Sequence, residues 1–140
     1  MRIRSDAVSD RLATVALFAA CTERELRDIS RLATEIEVEA GKALVTEGEP
    51  GHEFLIVLDG TATAFARGAQ VASFGPGDCF GELALLDNGP RTATVIADTP
   101  MRLAVVGQAE FGALLDSVPV LARRVLAGLA RRVRELDARV

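Results

Sequence analysis

The chain has no tryptophan and no tyrosine, a single histidine, His52, two cysteines, Cys21 and Cys79, and one lysine, Lys42. One histidine and two cysteines far apart in sequence supply no metal-ligand spacing, so a structural zinc site and a histidine-rich catalytic metal centre are both excluded as expectations. The same two cysteines form no disulfide framework and read as small buried hydrophobes. No nucleophile and base stand in a recognisable arrangement, so the chain is not expected to be an enzyme or to carry a cofactor. No uncharged stretch approaches the roughly 20 apolar residues that span a bilayer. Near the N-terminus, Ser9-Asp10-Arg11 interrupts any signal-peptide apolar core, and a cytoplasmic location with no membrane contact is expected.

What is present is an ordinary globular composition: 140 residues, 49% hydrophobic and 26% charged, with a net charge of −4. That length holds one domain with a real core, residues 1–140. The charge is unevenly spread. Acidic residues concentrate between positions 23 and 59, whereas Arg123, Arg124, Arg131, Arg132, Arg134 and Arg139 crowd the C-terminal end. Without a recognition helix or interleaved aromatics, these arginines read as a solvated helix face, and no DNA binding by this chain alone is expected.

Periodicity divides the chain into three parts. Residues 1–33 read as helices: Leu12, Val15 and Ala16 share one face, and Thr22 followed by Glu25 has the form of a capping box ahead of the stripe Leu26, Ile29, Leu32 and Ala33. Residues 34–107 alternate with period two between glycine and proline turns, giving strand-like pieces at 35–39, 43–46, 53–58, 61–66, 70–74, 92–97 and 101–106. Short strands with no long helices between them describe an antiparallel sandwich or roll. Asp59-Gly60 is the sharpest hairpin signal among the turns. From Gln108 the helical period returns with Phe111, Leu114, Leu115 and Val118; Pro119 then opens a second helix carrying Leu121, Val125, Leu129, Val133, Leu136 and Val140.

Inside the strand region, one connection is too long for a hairpin. Phe80 to Val95 reads F-G-E-L-A-L-L-D-N-G-P-R-T-A-T-V, with Leu83-Ala84-Leu85-Leu86 long enough for one helical turn. Glycine before such a turn exposes backbone N–H groups that attract an anion. Arg91 offers a fork of donors to the same anion, and Glu82 can accept from a hydroxyl, so together the residues suit a sugar phosphate. On those two residues alone, a plain structural Glu82–Arg91 ion pair is the favoured reading.

The same stretch resembles the phosphate-binding cassette of the cyclic nucleotide-binding domain family, found in bacterial catabolite activator proteins, regulatory subunits of cAMP-dependent protein kinase, cGMP-dependent kinases and cyclic nucleotide-gated channels. L-F-A-A-C-T-E-R-E-L-R-D-I-S-R-L-A, G-K-A-L-V-T-E-G-E-P-G-H-E-F-L-I-V-L-D-G-T-A and G-P-G-D-C-F-G-E resemble, in order, the family's N-terminal helical motif, early strands and cassette entry. The resemblance implies a mainly β fold with flanking helices, a double-stranded β-helix or jelly-roll-like β-roll, with the cassette at 80–95 and hinge or lid helices at 108–140. It further implies that Glu82 accepts from the ribose 2′-OH and Arg91 pairs with the cyclic phosphate. Backbone N–H groups of Gly81, Leu83, Ala84 and Ala93 would complete the cradle, with Thr92 beside the purine.

Val71, Ala72 and Phe80 are candidates for an apolar wall. Lacking tryptophan and tyrosine, the last helix would cap the base through Leu129, Arg132, Val133 or Leu136. The expected function is a cyclic nucleotide sensor module for cAMP, less readily cGMP, that signals to an effector protein by moving its C-terminal helix. The alternative is a ligand-free pseudo-sensor acting as an interaction or dimerisation domain, with a homodimer through the C-terminal stripe.

Overall fold

The computed structural model describes residues 12, 15–81 and 89–136. After a 3₁₀ turn, Ala16–Phe18, helix α1 spans Glu23–Leu32. The expected capping box starts it: the Glu25 N–H donates to the Thr22 Oγ1 at 3.1 Å, and the Thr22 N–H donates to the Glu25 Oε1 at 2.8 Å. Leu26 and Ile29 point inward from it.

Eight strands follow: β1 Ala33–Val38, β2 Ala43–Val45, β3 Glu53–Asp59, β4 Ala62–Ala66, β5 Ala69–Phe74, β6 Cys79–Phe80, β7 Thr94–Ala97 and β8 Met101–Gly107. They form two antiparallel four-stranded sheets, β1-β8-β3-β6 and β2-β7-β4-β5, which is the expected β-roll. Helices α2, Gln108–Ser117, and α3, Pro119–Leu136, close the described chain, starting where the helical period and Pro119 put them.

Strand β3, at the centre of the first sheet, is buried on both faces and so reads as a nearly unbroken apolar run. Phe54, Ile56 and Leu58 face the helices, together with Ala104 and Val106 of β8, Phe18, Ile29, Phe111 and Leu121. Leu55 and Val57 face the second sheet, with Leu103, Met101, Ala62, Ala64, Val95 and Ala97. Alternation along one strand thereby serves two cores.

The expected Asp59-Gly60 hairpin does not form. The neighbours of β3 are β8 and β6, whereas β4 lies in the other sheet, so these residues turn the chain from one sheet to the next. Gly60 has φ +92, and a Cβ there would sit 2.5 Å from the Pro100 carbonyl oxygen; its conformational freedom is used for a tight corner. The two-residue hairpin is instead Arg67-Gly68 between β4 and β5, where φ values of 54 and 78 match a primed turn. The two-residue strand β6 also went unread in the sequence, because Cys79 and Phe80 are too few to establish a period.

Candidate functional site

Arg91 is the one charged residue among the buried residues described, at 7% exposure. Its main chain is fixed first. The Arg91 N–H donates to the Glu49 carbonyl at 2.8 Å, and the Gly48 N–H donates to the Arg91 carbonyl at 2.9 Å. Pro50 and Pro90 form the next bridge of this short antiparallel pairing, and the Glu47 N–H donates to the Thr94 Oγ1 at 2.9 Å. The turn between β2 and β3 thus grips the segment leading into β7.

The guanidinium is then held by two main-chain carbonyls. Nη1 donates to the Gly81 carbonyl at 3.1 Å, and Nη2 donates to the Glu53 carbonyl at 2.8 Å. These carbonyls fix the orientation of the guanidinium, whose planar fork presents its donors in a set geometry. A fork fixed in this way loses little further freedom on meeting a planar or tetrahedral oxyanion.

Gly81 completes the arrangement from the other side. Its φ is +97, and a Cβ would come within 2.6 Å of the Arg91 Nη1 and 2.9 Å of the Glu53 carbonyl oxygen. Only glycine both adopts that backbone and leaves room for the guanidinium. A buried, oriented cation beside a side-chain-free backbone fits an anionic ligand approaching closely. Among the described residues, no group of three or more histidine, cysteine or acidic side chains is placed to hold a metal.

The other expected site residues fall into distinct places. Glu82, Leu83 and Ala84 lie outside the described residues, as do the side chains of Arg132 and Leu136. Thr92 is exposed next to Arg91, and Ala93 packs against the inter-sheet core. Phe80 is buried in that core, its ring centroid 4.9 Å from that of Phe74, so it is a core side chain and not a free wall. Ala72 also faces inward, whereas Val71 sits at the β5 irregularity and is 56% exposed. Leu129 packs on the helix-side core, while Val133 is 61% exposed on the outward side of α3. Two partners went unrecognised in the sequence: the Glu53 carbonyl and the Gly48-Glu49 main chain. Both act through backbone atoms that any residue type would supply, so only the turn signal Gly48-Glu49-Pro50-Gly51 pointed near them.

The family model "Cyclic nucleotide-binding domain" matches residues 35–118, a span that includes every strand from β2 to β8 and the Arg91 segment. The chain belongs to the cyclic nucleotide-binding domain family. Among curated relatives, a cAMP-dependent protein kinase regulatory subunit of Hypocrea atroviridis is 38% identical over 127 residues, covering 90% of this chain and 28% of the relative. The corresponding subunit of Neurospora crassa is 40% identical over 100 residues, covering 68% of this chain and 26% of the relative. The chain therefore spans about a quarter of the length of the curated relatives it matches. Among solved structures, the catabolite activator protein of Thermus thermophilus is 30% identical with a TM-score of 0.82, covering 88% of this chain and 60% of that one. The regulatory domain of Toxoplasma gondii protein kinase A, crystallised with cAMP, is 27% identical with a TM-score of 0.83, over 94% of this chain and 51% of that one.

Proposed function

We propose that this cyclic nucleotide-binding domain is a non-catalytic sensor that captures cAMP, and cGMP less well, without metal or further cofactor. In this reading Arg91 pairs with the cyclic phosphate, the backbone from Gly81 through Leu83, Ala84 and Ala93 donates to it, and Glu82 accepts from the ribose 2′-OH. Thr92 stands beside the base. The observation that carries the reading is the buried Arg91 fork, held by the Gly81 and Glu53 carbonyls next to a glycine that admits no Cβ. A cation in that setting stabilises a bound anion far more than a solvated arginine would.

The same geometry supports a route to the C-terminal helices. The carbonyl that anchors Arg91 belongs to Glu53, the next residue is Phe54, and the Phe54 ring lies 4.9 Å from that of Phe111 on α2. Helix α2 in turn packs on α3, through Leu114, Val118 and Leu121. A nucleotide that tightens the Arg91 corner differently in two states would bias this stack, and differential affinity is all that a population shift requires. An effector protein in the cytoplasm would read the helix position.

Isothermal titration calorimetry with each nucleotide tests the reading. Wild type is expected to bind cAMP more tightly than cGMP, and Arg91→Ala to lose at least about 2 kcal/mol, roughly thirtyfold in Kd. Arg91→Lys keeps the charge without the fork and is expected to fall between them. Unaltered binding by Arg91→Ala would remove the site assignment. No heat with either nucleotide would favour the pseudo-sensor.

A further inference from the structure

The last helix carries more apolar surface than its packing uses. Leu121 and Val125 are buried against α2 and the 3₁₀ turn, and Leu129 is partly buried beside them. On the adjoining, outward side, Leu126 is 64% exposed and Val133 is 61% exposed. Seven residues are two helical turns, so these side chains stand about 20° apart around the axis and about 10 Å apart along it, with exposed Ala130 between them. This is a short apolar seam, separate in direction from the one that holds the helix to the body.

Charge says what suits it. Helix α3 contains Arg123, Arg124, Arg131, Arg132 and Arg134 against one acidic residue, Glu135 in its last turn, in a chain of net charge −4. Arg123 and Arg134 are exposed, and both lie about 60–80° from the Leu126 line, on the same flank of the seam. Helices that pair with their own copies place opposite charges beside the seam. Here two copies meeting through this face would set five arginines against five, with Glu135 the one carboxylate on each helix to answer them. A membrane surface would match the charge, but interfacial helices insert a broad apolar face rich in bulky or aromatic side chains. This face offers one leucine, one valine and an alanine.

We propose that the outward face of α3 docks an acidic amphipathic helix of a partner protein, its apolar side chains on Leu126 and Val133 and its carboxylates on Arg123 and Arg134. The proposal stands on the helix alone and is independent of the nucleotide reading.

The test uses the full chain without nucleotide and two labelled synthetic peptides, each an amphipathic helix with a leucine seam. One carries glutamates beside the seam and the other lysines. Fluorescence anisotropy is expected to give binding of the glutamate peptide at least about tenfold tighter than of the lysine peptide, weakening as salt rises. The double variant Arg123→Glu with Arg134→Glu should invert that preference. Leu126→Gln with Val133→Gln should weaken the glutamate peptide about tenfold while leaving the melting temperature unchanged, because both side chains are exposed. Equal binding of the two peptides, or no effect of the charge reversal, would overturn the proposal. So would binding to phosphatidylserine vesicles in place of the peptide, or a concentration-dependent dimer in sedimentation that the Leu126/Val133 variant abolishes.

Discussion

The two faces of the first sheet are packed by different means. Toward the helices, the core is filled by aromatic bulk, with Phe18, Phe54 and Phe111 each at 2% exposure or less. Toward the second sheet, that sheet's buried side chains are small, Ala62, Ala64, Ala97 and Val95, against Leu55, Val57 and Leu103, with the Phe80–Phe74 ring pair beside them. Helices laid on a sheet leave irregular gaps that large rings fill, whereas two pleated sheets interdigitate well with alternating small and medium residues. Strand β3 supplies both faces, as does its neighbour β8. The lesson is that two cores of different make are packed against opposite sides of the same strand.

The largest expected effect therefore lies on the helix side. Phe54→Ala removes a ring from between β3 and Phe111 and should cost about 4 kcal/mol, read by urea denaturation. Leu103→Ala, on the opposite face at 0% exposure, should cost about 3 kcal/mol. Hydrogen exchange sharpens the comparison: Phe54→Ala should release amides of α2 and α3 first, and Leu103→Ala those of β4 and β7. If both variants loosened the same amides, the division into two cores would be wrong.

The next effect probes the junction between the halves. Gly81→Ala adds a Cβ at a positive φ, against the Arg91 Nη1 and the Glu53 carbonyl oxygen. Backbone strain of this kind costs about 1–3 kcal/mol, and the displaced guanidinium should lower nucleotide affinity by at least as large a factor as Arg91→Lys does. The structural cost is read by thermal melting and the binding cost by calorimetry. A stable variant with wild-type affinity would separate Gly81 from the Arg91 corner.

These contrasts explain how far the sequence could be read. The capping box at Thr22 and Glu25, the helix starts at Gln108 and Pro119 and most strands were legible because each depends on local spacing. The helix-facing and sheet-facing sets of β3 were not separable, since both are apolar and only the partner elements distinguish them. Asp59-Gly60 misled for a related reason: a positive φ announces a turn, but whether the next strand stays in the sheet is decided by pairing with β8 and β6, far away in sequence. At the site, Gly81 and Arg91 were visible as residue types and are brought within 3.1 Å of each other, while the Glu53 carbonyl had no side-chain signature.

The smallest effect has the opposite sign and separates glycines that the fold uses from glycines it merely carries. Gly128 lies inside α3, and a Cβ added there meets nothing within 4 Å; Gly112 inside α2 is equally open. In a helix interior glycine loses more conformational freedom on folding than alanine does, by about 0.5–1 kcal/mol. Gly128→Ala and Gly112→Ala should each raise stability by up to that amount, where Gly81→Ala lowers it. Differential scanning calorimetry on the three single variants makes the comparison directly. If the proposed signalling through α3 holds, Gly128→Ala also tests whether that helix bends: a helix that moves as a rigid rod would keep the wild-type response to nucleotide, whereas one that flexes at Gly128 would lose part of it while gaining stability.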